Sequence, residues 1–241
     1  MRIIADTHCH TISSGHAYST LMENLSYAKK RGLYAMAVTD HTGDMQGAPY
    51  KWYFGNMDVI PKEIDGVKIL RGAEVNVIDK DGILDLEEDI LKRLDWVVAS
   101  IHDSVTTISG TDESTNAWLN IAKNPMVNVI GHSGSPKYEY DYETVIKEFG
   151  KNGKLVELNN STFSIRKSYT SNCKKIAELC KKHSVPVVLN SDSHFCTNIG
   201  NVANCLKMLE EIDFPEELVV NANVDRFEKY LREWTGYFNN K

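Results

Sequence analysis

Residues 2–10 read RIIADTHCH, a short apolar run that ends in an aspartate and is followed at once by two histidines. Five later segments repeat this arrangement, each with a histidine or an acidic residue at or just beyond the end of an apolar run. They are AMAVTDH (35–41), KILRGAE (68–74), WVVASIH (96–102), VNVIGH (127–132) and VPVVLNSDSH (185–194). Scattered core histidines would not fall repeatedly at one structural position, and histidine is the commonest metal-ligating side chain. The pattern therefore predicts a polynuclear metal site at the ends of several strands.

The apolar runs alternate with amphipathic segments, which predicts an α/β fold with a parallel sheet covered by helices. The predicted strands are 2–6, 35–39, 68–72, 96–100, 127–131, 154–158 and 185–189. The predicted helices include 19–31, 86–94, 116–123, 141–152 and 172–183, with Gly32 and Gly153 just past two helix ends. A short strand at 218–221 and a closing helix are expected in the last part, 214–234. Seven parallel strands fit a closed or nearly closed barrel better than an open sheet.

Composition limits both the fold and its partners. With 241 residues, 42% of them apolar, and no Pro/Gly/Ser-rich linker, the chain suits one domain, 1–241. The net charge of −6 argues against a long nucleic-acid groove and an anionic membrane, but not against a phosphate site. The irregular stretch 42–66, with an aromatic group at 50–54, is predicted to form a lid or pocket wall.

The same reasoning predicts a cytoplasmic location. Five cysteines, odd in number and without CxxC spacing, indicate no disulfide framework and hence a reducing compartment. The chain opens with a strand-like segment that leaves no room for a signal peptide. No apolar run approaches the roughly 20 residues that a membrane-spanning helix needs.

Nine side chains near the strand ends are the candidate metal ligands. They are His8, His10, His16, His41, Glu74, His102, His132, Asp192 and His194. The carboxyl ends of parallel barrel strands converge on one mouth, so these side chains should meet. His8 and His10 lie two residues apart, as do Asp192 and His194, and in extended backbone such a pair points to one side.

Nine ligands are too many for one catalytic ion, but they suit three ions with a bridging carboxylate. Imidazoles with a minority of carboxylates and no thiolate suit divalent zinc, manganese or iron, and we place zinc first. A water that bridges two such ions becomes hydroxide near neutral pH and serves as a nucleophile.

Other polar residues near the strand ends have two readings each. Arg166 follows the sixth strand and either holds a phosphate through two parallel hydrogen bonds or pairs with a nearby acid at the surface. Asp6 and Asp40 either accept a proton from a ligated imidazole or make turn contacts, and Asp103 falls under the same alternatives. His183 lacks the strand-end context and is predicted to lie at a helix end on the surface.

The motifs resemble those of the polymerase and histidinol phosphatase (PHP) superfamily of metal-dependent phosphoesterases, in order and along essentially the whole chain. WYFGNMDVIP, SPKYEYD and LNNSTFSIRK further resemble its stand-alone YcdX-type branch. The resemblance implies a single PHP domain, folded as a distorted seven-stranded (β/α)7 TIM-like barrel with three divalent ions. It implies one ion on His8, His10, Glu74 and Asp192, a second on His16, His41 and His194, and a third on His102, His132 and the bridging Glu74.

We therefore expect a cytoplasmic phosphatase that acts on a small phosphate monoester, with Asp192 and Arg166 as candidate catalytic residues. Asp192 or a metal-bound water would protonate the leaving alcohol. Histidinol-phosphate phosphatase and a nucleotide or oligonucleotide phosphodiesterase are the alternatives among enzymes. A non-catalytic accessory PHP module is the alternative from another class. The sequence leaves a homo-oligomeric state open.

Overall fold

The computed structural model describes residues 1–238, in which seven parallel strands form a curved sheet. The strands are β1 (Ala5–Asp6), β2 (Ala35–Val38), β3 (Glu63–Ile64), β4 (Val67–Asn76), β5 (Trp96–Ser100), β6 (Val129–Ile130), β7 (Leu155–Asn159) and β8 (Val187–Asn190). The strand order is β1-β2-β4-β5-β6-β7-β8, and β3 pairs with β4 in antiparallel orientation. All seven predicted strands are present, and β3 is an addition from the stretch that was expected to be irregular.

Helices connect the strands and cover the outside of the sheet. They are α1 (Leu21–Lys30), α2 (Trp52–Gly55), α3 (Glu88–Leu91), α4 (Gly110–Lys123), α5 (Tyr142–Lys151), α6 (Thr170–His183), α7 (Ala203–Glu211) and α8 (Val224–Trp234). Helix α1 begins with a capping box, in which Thr20 and Glu23 satisfy each other's backbone amides. Gly32 and Gly153 have φ values of +68° and +67°, so both predicted helix ends are confirmed.

The barrel closes between β8 and β1 without a full ladder of hydrogen bonds. Cys9 and Ser193 form an isolated parallel bridge just beyond the two strands. At the other end Asn221 fills the gap, because its side-chain amide donates to Ala5 O at 2.8 Å and Leu189 O at 2.7 Å. Its Oδ1 also accepts from the backbone N–H of Leu189 at 3.0 Å. We call this junction the seam; it explains why the barrel is distorted.

The predicted strand at 218–221 is wrong. Two short 3-10 turns, Glu216–Leu218 and Val220–Ala222, occupy this segment, and only Val219 makes a strand-like bridge, to Val187. An eighth strand would need backbone pairing along both neighbours, whereas here the Asn221 side chain supplies those contacts. The predicted closing helix is present as α8.

Side chains alternate along each strand between two apolar clusters. One cluster packs against the outer helices, whereas the other fills the barrel and contains Ala35, Leu70, Trp96, Leu155 and Val188. Helix α8 contributes Phe227, Tyr230 and Leu231 to this inner cluster and closes the end of the barrel at which the strands begin. The inner positions become polar toward the strand ends, so the opposite end forms the mouth.

Two further differences concern helices. The predicted helix 86–94 is reduced to the four residues of α3, and α4 starts at Gly110, six residues before its predicted start. The added turns of α4 carry the sequence GTDEST, which gives no apolar periodicity because most of that segment faces solvent. Among residues 1–238, none of the helices is both long and apolar enough to span a lipid bilayer.

Candidate metal centre

All nine predicted ligands lie together at the mouth of the barrel. Eight come from strand ends: β1, β2, β4, β5, β6 and β8 are each followed by, or in β4 contain, at least one of them. His16 comes from the loop before α1 and reaches the same place. Three subsets bring ligand atoms within 4.8 Å of one another in the described part of the chain: His10–His41–His194, His8–His10–Glu74 and His41–Glu74–His102.

Glu74 lies at the middle of the cluster. Its carboxylate oxygens are within 3.5 Å of nitrogens from five imidazoles, with separations of 3.2 Å to His8, 3.5 Å to His10, 2.8 Å to His41, 3.5 Å to His102 and 2.9 Å to His132. Ser100 donates a further hydrogen bond of 2.6 Å to Oε1. A carboxylate that touches ligands from four neighbouring strands has the position that a bridging ligand requires.

Asp192 faces the opposite side of the cluster. Its Oδ1 lies 3.2 Å from Nε2 of His10 and 3.8 Å from Nε2 of His8. Its Oδ2 accepts from Arg166 at 2.7 Å and from Asn159 at 3.1 Å. Asp192 has a left-handed φ of +53°, so the extended-strand parity argued for Asp192 and His194 is wrong, although both side chains reach the cluster. Strained backbone of this kind is concentrated at functional sites.

His16 is the one exposed member of the set. Its Nε2 lies 3.0 Å from Nε2 of His194, and its ring stacks at 5.0 Å between centroids on that of His41. Both neighbours come from strand ends, so the loop of His16 folds back over the mouth as expected from its position in the sequence.

Several buried polar atoms of the cluster make no hydrogen bond of acceptable geometry, although some of them lie within 3.5 Å of one another. Among the described residues they include Nε2 of His8, His10 and His102, Nδ1 of His41 and Oε2 of Glu74. Buried polar atoms are almost always paired, and an ion is one of the explanations for a group that is not. These five atoms face one another, and imidazole nitrogen with carboxylate oxygen is a donor set for divalent transition metals. The residues present therefore fit a metal cluster.

The electrostatics of the cluster favour ionised carboxylates. Burial alone would raise the pKa of Glu74, but the imidazoles of His8, His41 and His102 outweigh it and hold that pKa well below its ordinary value. Burial opposes ionisation of Asp192 too, yet Arg166 and His8 keep the pKa of that carboxyl well below its ordinary range. Burial also lowers the pKa of His10 and of His132, which favours the neutral imidazole that binds metals.

The ring nitrogens that face away from the cluster have partners of their own. Nδ1 of His102 lies 2.7 Å from Asn76 Oδ1, and Nδ1 of His10 lies 3.1 Å from Ser14 Oγ. Nδ1 of His8 lies 2.7 Å from Oε1 of Glu157. Such partners fix the orientation and tautomer of a metal-binding histidine.

Sequence reasoning misses Glu157, because this residue lies within the sixth parallel strand rather than beyond its end. It is buried within β7, two residues after Leu155, and so faces the inside of the barrel as Leu155 does. A charged residue inside an otherwise apolar strand, at an inward position, was the signal that could have identified it.

The other acidic candidates do not contact an imidazole. Asp6 accepts hydrogen bonds from Ser191 and from the backbone of Gly200, and so holds the loop after β8. Asp40 accepts from Thr11, Ser14 and Tyr53, and so holds the loop after β1. The turn-contact reading therefore describes both. Asp103 is exposed and pairs with Lys137 at 3.2 Å.

The aromatic group at 50–54 divides between surface and interior. Tyr50 and Trp52 are exposed, whereas Phe54 joins the main core cluster. Tyr53 donates its hydroxyl to Asp40 at 2.6 Å, so the group anchors its own loop beside the loop after β1.

His183 ends α6 and lies 2.9 Å from Glu143, outside the cluster, as its sequence context predicts.

A protein-family model and similar proteins of known sequence indicate the same family for this chain. The family model described as "PHP domain" matches residues 6–161. A protein of Acetivibrio thermocellus named "Probable phosphatase" is 46% identical over 232 residues, which cover 96% of each chain. A protein of Clostridium novyi, also named a probable phosphatase, is 45% identical over 233 residues and 96% of each chain.

A solved structure shares the fold at much lower identity. The histidinol phosphate phosphatase of Lactococcus lactis, solved with zinc, L-histidinol and phosphate, superposes with a TM-score of 0.63 and 16% identity. The match covers 89% of the present chain and 95% of that chain, and it supports the barrel architecture. Because the family model matches more than half of the chain and the curated relatives align along almost all of it, the protein belongs to the PHP-domain family.

Proposed function

We propose that this protein is a metal-dependent phosphatase that hydrolyses a small phosphate monoester at a trinuclear centre. The observation that carries the proposal is the convergence, around Glu74, of buried imidazole and carboxylate atoms that make no hydrogen bond. Relatives at 46% and 45% identity that are named probable phosphatases support the same class of hydrolase.

The nine clustered side chains would hold the ions, with Glu74 as the bridging ligand. When bound, divalent ions at such a centre supply an activated water as nucleophile and neutralise phosphate oxygens. Zinc is our first expectation, since the donors are mainly imidazole nitrogens and the Lactococcus lactis protein of the same fold was solved with zinc. Manganese and iron are the alternatives.

Arg166 and Asp192 would act on the substrate side. The Arg166 guanidinium, held 2.7 Å from Asp192 Oδ2, stands at the mouth with further N–H groups available for a phosphate oxygen. Asp192 would bind an ion through its carboxylate, whose lowered pKa favours the ionised form, and it remains a candidate for the group that protonates the leaving alcohol.

The substrate would be a small phosphorylated molecule rather than a nucleic acid. A net charge of −6 provides no basic field for a polymer. Five unpaired cysteines, all of them buried, are in keeping with a reducing compartment, and we retain the cytoplasm as the proposed location.

The test is a metal analysis by mass spectrometry followed by a panel of phosphate esters. The purified protein, loaded in turn with zinc, manganese or iron, is expected to release phosphate from monoesters and to lose that activity on chelation. The panel should contain histidinol phosphate, sugar phosphates, nucleoside monophosphates and a diester. Tight metal binding without hydrolysis of any ester would instead indicate the non-catalytic module.

Substitutions of two ligands from different strands provide the second arm. His8→Ala and Asp192→Ala are expected to lower kcat/KM by more than the roughly 10–100-fold that is typical of losing an outer partner of a ligand. His183→Ala is the matched control, because that histidine pairs with Glu143 outside the cluster. Wild-type activity in folded, metal-loaded His8→Ala protein would refute the assignment of the site.

A further inference from the structure

Glu157 is a buried carboxylate with four hydrogen-bond donors around it. Its Oε1 accepts from Nδ1 of His8 at 2.7 Å and from Nδ2 of Asn190 at 2.9 Å. Its Oε2 accepts from the backbone N–H of His132 at 2.8 Å and from Nδ2 of Asn159 at 3.1 Å. An ionised carboxylate offers about four acceptor sites, so this arrangement saturates it. Glu157 is therefore not itself available to an ion at the mouth.

Two of the four donors belong to candidate ligands from different strands. The His8 ring carries its Nε2 toward Glu74 Oε2, 3.2 Å away, on the side opposite to Glu157. His132 approaches the other oxygen of the same carboxylate, with Nε2 2.9 Å from Glu74 Oε1. Glu157 thus lies beneath the cluster and touches the far side of one ligand and the main chain of another.

We propose that Glu157 is a positioning residue of the metal centre: it keeps His8 protonated at Nδ1, so that Nε2 is free to bind a metal, and it fixes the main chain at His132. This inference rests on the proposed metal site but not on the proposed phosphatase activity. Asn190 and Asn159 hold the carboxylate in place, and Asn190 is in turn fixed by accepting from the backbone and hydroxyl of Thr7.

Replacing Glu157 with glutamine would put a donor where the network needs an acceptor. If the new amide NH₂ faces His8, the imidazole must present a lone pair at Nδ1 and carry its proton at Nε2, where it blocks metal binding. If the NH₂ faces His132, it meets a backbone N–H, which can donate a hydrogen bond but cannot accept one. The first orientation forces the wrong tautomer on His8 and opposes the amide of Asn190, and the second opposes two donors at His132, although size and shape are nearly unchanged.

The experiment compares Glu157→Gln with Glu143→Gln by competition between the protein and a chromophoric chelator for zinc. The second variant is a matched control, because Glu143 is also paired with a histidine, His183, at 2.9 Å but lies far from the ligands in the fold. We expect Glu157→Gln to weaken zinc binding about 10–100-fold, and Glu143→Gln to leave it unchanged. Wild-type zinc affinity in Glu157→Gln protein would overturn the inference.

A measurement on the wild-type protein decides the question if Glu157→Gln does not fold. In the zinc-loaded protein, long-range ¹H–¹⁵N NMR spectra of the histidine rings should show His8 protonated at Nδ1 and metal-bound at Nε2. The reverse pattern, with zinc on Nδ1 of His8, would contradict the role of Glu157. Both readouts report on metal binding, so they retain their meaning even if no phosphate ester is hydrolysed.

Discussion

Arg166 joins the candidate ligand Asp192 to the open mouth of the barrel. Its Nη1 donates to Asp192 Oδ2 at 2.7 Å, so the surface-pairing reading is wrong in one respect: the partner acid belongs to the cluster. The guanidinium is only partly exposed, and its charge is the strongest of the attractions that lower the pKa of Asp192. Arg166 therefore has two proposed roles, which are phosphate binding and neutralisation of the candidate ligand Asp192.

Substitution of Arg166 separates these two effects. If the guanidinium holds phosphate, Arg166→Lys should raise KM and the inhibition constant of inorganic phosphate about 10–100-fold, as expected for losing a charged hydrogen bond worth about 1.5–3 kcal/mol. Zinc affinity should change little, because lysine keeps a positive charge near Asp192. Steady-state kinetics together with chelator competition provide the measurement, with Lys167→Ala as a neighbouring control. Unchanged KM with weakened zinc binding would mean that Arg166 serves Asp192 alone.

The clustering of the candidate ligands could be predicted from sequence, but most of their hydrogen-bond partners could not. His8, Glu74 and Asp192 stand out because ligand-type residues recur after apolar runs, and strand order alone brings them together. Glu157 lies within a buried strand. Its role depends on which side chains of β7 point into the barrel and on which residues surround them below the mouth. The left-handed backbone of Asp192 is a tertiary effect, since nothing in the letters SDSH requires it.

Among the elements, the strands were predicted more accurately than the connections. Strand β5 has the predicted bounds, because five consecutive apolar or small residues buried on both faces give a strong signal. The segment 42–66 contains α2 and β3, which are too short for periodicity to identify. The turns at 216–222 resemble a strand in amino-acid composition. Nothing in the sequence indicates that the side chain of Asn221 takes the place of backbone pairing there.

The hydrogen bonds of Asn221 at the seam should contribute to the stability of the folded protein. Asn221→Ala would leave the N–H of Leu189 and the carbonyls of Ala5 and Leu189 without these partners inside the protein. We expect a loss of about 3 kcal/mol or more in the free energy of unfolding, since three buried groups lose a partner and each unsatisfied group costs about 1–3 kcal/mol. Denaturant unfolding of the metal-free protein measures this loss. Asn116→Ala, an exposed substitution on α4, is the control, and an equal loss in both variants would show that the seam contributes nothing.

At the scale of the whole molecule, the cluster concentrates buried polar groups at one end of an otherwise apolar barrel. The inner cluster of apolar residues fills the end that α8 covers, and the opposite end holds the ligand atoms without partners. A ligand that binds only the folded state stabilises it in proportion to its affinity. Metal binding should therefore appear in the thermal stability of the entire protein.

Zinc at about a thousand times its dissociation constant should add about 4 kcal/mol per site. For a chain of this length that amounts to a rise in Tm on the order of 10 °C or more. Magnesium, which prefers oxygen ligands, should have a much smaller effect. Differential scanning calorimetry with zinc, magnesium and a chelator provides the measurement. Equal Tm values in all three would argue that the cluster does not bind a transition metal.

The seam also has a consequence for the order in which the molecule is made. Asn221 follows Ala5 by 216 residues, so the side chain that joins the first strand to the last leaves the ribosome long after the first strand does. Until then β1 has only β2 beside it, and the edges of the open sheet stay available to chaperones or to other chains. His8 and His10 likewise lack the other candidate ligands Asp192 and His194 until those residues have been synthesised. The complete set of candidate ligands is therefore available to a metal only after residue 194 has been synthesised.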